Sequence, residues 1–97
     1  MNAIQTQTAR GPRSHDIYAT RLMRVNDALD RLRVAGCDVL GIDLDRPMPV
    51  ITIAASGAVH RLGRAAPYVF GHDRRGRMRR YQVRLEGCRV EWDVVGH

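Results

Sequence analysis

Two kinds of side chain in this sequence could do chemistry: a few scattered nucleophiles, ligands and acids, and a dense set of arginines. Hydrolysis would need an acid-base pair, and His72 with Asp73 beside Arg74 and Arg75 is the nearest approach to one. The paired carboxylates Asp43 and Asp45 stand two apart. Strand alternation sends both to one solvent face beside a turn, where they solubilise a hairpin tip rather than share a proton. Ser56 and Cys88 lack the flanking residues of a nucleophile elbow, and no glycine-rich phosphate loop occurs. Cys37, Cys88, His60 and His72 are the candidate metal ligands, but none lies at zinc-knuckle or finger spacing. No catalytic residue, metal or cofactor is therefore expected.

The arginines carry the signal. All 16 of the Lys/Arg residues are arginine, and eight fall between Arg61 and Arg84, where Asp73 is the only acid. The formal excess of +6 is thus concentrated in one segment. Confined positive charge directs a surface toward a polyanion or an acidic protein face, and the guanidinium fork grips a carboxylate or phosphate at two points. Arg61, Arg64, Arg74, Arg75, Arg77, Arg79, Arg80, Arg84 and Arg89 are the candidate contact residues. The segment interleaves few aromatics, and Phe70 and Tyr81 are expected in the core, so stacking on single-stranded bases is poorly supported.

The elements that must position these groups are legible in outline. A chain of 97 residues, 44% apolar, makes one small domain. Residues 1–15 form a polar, mildly basic arm and 16–97 the folded part. The arm has no apolar run of a signal peptide and no segment approaches a membrane span, so a cytoplasmic protein with reduced, buried Cys37 and Cys88 is expected. Tyr18, Leu22, Val25, Leu29 and Leu32 repeat at helical spacing, which predicts a helix from about Asp16 to Ala35, capped by Ser14 or Asp16 and stopped by Gly36.

After Gly36 the period changes to two. Leu40, Ile42 and Leu44 point one way, and Val50 to Ala55 forms the second arm of a hairpin across Arg46-Pro47-Met48-Pro49. One helical turn is expected near Ala58 to Leu62, a short edge strand at Tyr68 to Phe70, and a turn over Gly71 to Gly76. In the last hairpin a two-residue turn at Glu86-Gly87 pairs Leu85 with Cys88, Val83 with Val90 and Tyr81 with Trp92 on one face. It places Arg84 opposite Arg89, Gln82 opposite Glu91 and Arg80 opposite Asp93 on the other. The sum is an α+β domain: one antiparallel sheet of four to five strands with a single N-terminal helix packed on one face. The edges at Asp38–Asp45 and Tyr68–Phe70 leave a homodimer open.

The runs Gly36-Cys37-Asp38-Val39-Leu40-Gly41-Ile42, Pro49-Val50-Ile51-Thr52-Ile53 and Tyr81 to Trp92, with its closing E-G-C-x-V-x-W, resemble small accessory proteins of phages and prophages of GC-rich proteobacteria. The resemblance covers about residues 20 to 94 and brings no catalytic motif. It implies a phage or mobile-element protein, anti-CRISPR-like, that inhibits by binding a host nucleic-acid-processing complex. A basic chain does not mimic DNA, so its expected partner is a host protein or ribonucleoprotein complex with an acidic surface. The alternatives are direct binding to a nucleic-acid backbone and a small nuclease or toxin.

Overall fold

The computed structural model describes residues 14–73 and 76–96. One helix, α1 (Ser14–Ala35), is followed by β1 (Val39–Asp43), β2 (Val50–Ile53), a 3-10 turn (Gly57–Leu62), β3 (Ala66–Asp73), β4 (Gly76–Leu85) and β5 (Cys88–Gly96). The strands form a single sheet in the order β1-β2-β5-β4-β3, and α1 packs on one face, giving the expected α+β class. The sheet is mixed rather than wholly antiparallel: three ladders are antiparallel, and β2 runs parallel to β5. A parallel pair needs a long crossover, and the 3-10 turn with β3 and β4 supplies it. The N–H of Arg89 donates to the Pro49 carbonyl at 2.9 Å where the two strands meet.

α1 ends as its sequence directs. Gly36 takes φ +85°, and the N–H of Cys37 reaches back to the Leu32 carbonyl at 2.9 Å while that of Gly36 reaches Arg33 at 3.1 Å. This is the glycine-closed helix terminus, which supplies donors to carbonyls left without an intrahelical partner. The buried stripe of α1 is Val25, Ala28, Leu32 and Ala35. It differs from the expected stripe in its first turns: Tyr18 and Leu22 are exposed, Leu22 by 52%. Alanine at 28 and 35 lets the helix axis approach Ile51, Ile53, Cys88, Val90 and Trp92 of the sheet.

The other differences are local. In β1 the register shifts between Val39 and Gly41, so that Val39 faces Ile53 and Ile42 faces Ile51. Leu40 and Ile42, both expected on the inward face, are exposed by 68% and 45%, Leu40 at a bulge on this edge strand, and of the expected Leu40, Ile42 and Leu44 only Leu44 packs against the core. β3 is longer than the expected edge strand. Gly71, His72 and Asp73, expected in a turn, pair with Met78, Arg77 and Gly76. The 3-10 turn falls where a helical turn was expected, and the Ser56 hydroxyl caps it by accepting from the Ala58 N–H at 3.2 Å.

The packing of α1 separates the two helix readings by stability. Ala28→Leu overfills a fully buried position and should destabilise the domain by about 1–3 kcal/mol. Leu22→Ala should cost less than about 0.5 kcal/mol, as an exposed position does. Urea unfolding followed by circular dichroism measures both.

Candidate functional site: an arginine-bearing sheet face

The β4–β5 hairpin decides where the arginines go. Its turn residues Glu86 and Gly87 have φ +51° and +78°, the left-handed pair that a two-residue hairpin turn requires. The resulting register is the one the sequence predicts, pair for pair from Arg80 with Asp93 to Leu85 with Cys88. Alternation then sends Tyr81, Val83, Leu85, Cys88, Val90 and Trp92 toward α1, and Arg80, Gln82, Arg84, Arg89, Glu91 and Asp93 to the opposite face.

That second face is a lattice of mixed charge. Arg80 grips Asp93 at two points, with Nη2 to Oδ2 at 2.9 Å. Arg89 leans along its own strand to Glu91, Nε to Oε2 at 3.4 Å, and Glu91 is buried. Arg84 stands directly opposite Arg89, is exposed, and has no carboxylate partner among the described residues. Arg64, in the connection from the 3-10 turn to β3, is likewise exposed and without a carboxylate among the described residues. Arg64, Arg84 and Arg89 line one groove of about 320 Å³ together with Met48, Ala66, Gln82 and Val83.

The remaining candidates lie elsewhere. Arg61 belongs to the fold: its Nη1 donates to the Ala35 carbonyl at 2.8 Å and closes the end of α1. Arg77 and Arg79 are exposed at the far end of β4, opposite Gly96 and Val94, on the helix side of the sheet. Arg74 and Arg75 lie outside the described residues, as do the side chains of His72 and Asp73. The arginine run of the sequence is thus divided between two faces, and the groove draws on Arg64 and Arg84 from the run and on Arg89 beyond it.

A second, larger hollow of about 680 Å³ opens on the helix side, between the 3-10 turn and the β4–β5 strands. Its wall includes Val59, Ala65, Tyr81, Trp92 and Val94, and its rim His60 and Arg64. Tyr81, expected in the core, is half-buried and lies against Trp92 with ring centroids 6.1 Å apart and planes at 16°. Sequence periodicity identified both aromatics as inward-facing but could not show that the sheet extends past the helix that covers it.

Elsewhere the polar chemistry is structural. Asp43 accepts from the Asp45 N–H at 2.9 Å and from Arg46 Nε at 3.1 Å, while Asp45 accepts from the Tyr18 hydroxyl at 3.0 Å. These contacts tie the β1–β2 turn together and anchor it to α1. Cys37 and Cys88 are free and buried, and burial pushes both thiols above their ordinary range. No group of three or more His, Cys, Asp or Glu side chains converges as a metal site among the described residues, and no helix of these residues is long and apolar enough to cross a membrane. No family model matches the chain, no curated protein matches it, and no solved structure matches its fold.

The Asp43 carboxyl lies below the ordinary carboxylate range, first because the Asp45 N–H donates to it and then because Arg46 does. A depressed carboxylate stabilises the fold above its unfolded pKa near ~3.9, and that contribution fades as pH falls through the folded value. Asp43→Asn should therefore lower stability at pH 7 and flatten the acid limb of the stability profile, read as denaturation midpoints between pH 7 and pH 2. An unchanged acid limb would show that the turn contacts do not persist in solution.

Proposed function

We propose that the protein is a non-enzymatic binding module that engages an acidic protein surface through the arginine-bearing face, with Arg64 and Arg84 as its principal contacts. The observation that carries this reading is the mixed charge of that face. Asp93 binds Arg80 at two points and Glu91 lies 3.4 Å from Arg89, while Arg84 and Arg64 present exposed guanidinium forks. A phosphate backbone approaching this face would meet the Asp93 carboxylate as well as the arginines. A protein surface with its own alternating charges can complement both signs, and such complementarity sets specificity and association rate.

The resemblance to phage accessory proteins gives this module a setting: an anti-defence, anti-CRISPR-type inhibitor acting in the host cell on a nucleic-acid-processing complex. Direct contact with a nucleic-acid backbone is the second reading. It draws on the arginines at the β3–β4 end, where Arg77 and Arg79 are exposed.

A pull-down from host lysate with and without nuclease separates the two. Protein recognition predicts that the partner survives nuclease treatment and that Arg64→Ser with Arg84→Ser weakens capture by about tenfold or more, the scale of losing charge-assisted hydrogen bonds. Loss of capture on nuclease treatment, with a log-log salt slope near −0.9 per phosphate contact, would replace the first reading with the second.

A further inference from the structure

The helix-side hollow is built for something other than charge. Its wall is apolar: Val59, Ala65, Tyr81, Trp92 and Val94, with Val94 exposed by 41%. Its rim carries the Arg64 guanidinium and the His60 imidazole, and no carboxylate lines it among the described residues. Its volume of about 680 Å³ falls within the range of sites that hold a compact ligand or an anchoring side chain. Arg64 also lines the arginine groove on the opposite face, because the connection that carries it passes from the 3-10 turn to the sheet at this point. A carboxylate held by Arg64 would therefore sit at the mouth of the hollow.

We propose that the hollow receives one aromatic or large aliphatic side chain of the partner protein, presented beside an aspartate or glutamate that Arg64 binds. Charge complementarity selects the acidic neighbour, and the apolar wall selects the anchor. A desolvated anchor in a pocket beside a charged contact is the arrangement that concentrates binding energy in protein interfaces. A nucleotide base fits less well. Trp92 is only 4% exposed and offers little open ring face for stacking, and the Ser56 hydroxyl already accepts from the Ala58 N–H.

This inference rests on the protein-binding reading above and is tested separately from it. Trp92 is the single tryptophan of the chain, so its emission reports on this hollow. Titration with the peptide Ac-Asp-Phe-Asp-amide should give a saturable change in that emission. Ac-Asp-Ala-Asp-amide should bind about tenfold more weakly or worse, as should the Phe peptide to Arg64→Ser. Ala65→Leu, which narrows the hollow, should abolish the response while circular dichroism shows the fold retained. A saturable response to AMP of equal or greater affinity, or none to the Phe peptide up to about 10 mM, would overturn the proposal. With the captured partner, unchanged affinity of Ala65→Leu alongside loss in the Arg64→Ser, Arg84→Ser variant would sink this inference alone. Unchanged affinity of the double arginine variant would sink the reading beneath it.

Discussion

The rest of the structure depends on the register of one hairpin. Side chains alternate along β4 and β5, so a slip of one residue would send Tyr81, Val83, Val90 and Trp92 into water and turn the arginines toward α1. The Glu86-Gly87 turn prevents that slip, since its two positive φ angles fit the twist of the flanking strands. Once the register is set, β5 offers a fully apolar face through Cys88, Val90 and Trp92, all buried. β2 joins its open edge, and α1 closes over both. The fold of the core and the layout of the charged face are thus one decision made at one turn.

The charged face does not hold the domain together. Partly exposed ion pairs contribute little, about 0–1 kcal/mol each, and Arg80 and Asp93 remain about a third exposed. Their effect is positional. Asp93 binds Arg80 and Glu91 lies beside Arg89, while Arg84 faces a like charge, a cross-strand pair that is mildly unfavourable by itself and is relieved when an anion sits between or beside the forks. The same strands carry the aromatic wall of the hollow on their other side. Arg64 links the two hollows, which is why one short connection matters to both contacts.

Much of this was legible in the sequence, for specific reasons. A two-residue turn between alternating runs leaves one register that sorts both faces, so six of the nine β4–β5 pairs, from Arg80–Asp93 to Leu85–Cys88, could be read. Gly36 marked the end of α1, while its start, expected near Asp16, lies at Ser14. The parallel β2–β5 ladder was not legible, because alternation shows which way a residue faces and says nothing of which strand lies beside it. Leu40 was misplaced because a bulge at an edge leaves no mark in the period. Ala28 was passed over because a small residue adds little to an apolar stripe, yet it is fully buried in the core. The arginine cluster was visible as a run, but a run in β4 divides between faces. The groove of Arg64, Arg84 and Arg89 exists only after folding.

The most direct measurement is arginine modification of the native protein with phenylglyoxal, read residue by residue by mass spectrometry. With Asp93 gripping Arg80 and only Arg89 opposite Arg84, Arg84 and Arg64 should be modified several-fold faster than Arg80, and the difference should vanish on unfolding. Equal rates for Arg80 and Arg84 in the native state would mean that the hairpin does not sort these charges as described, and the binding face would be lost with it.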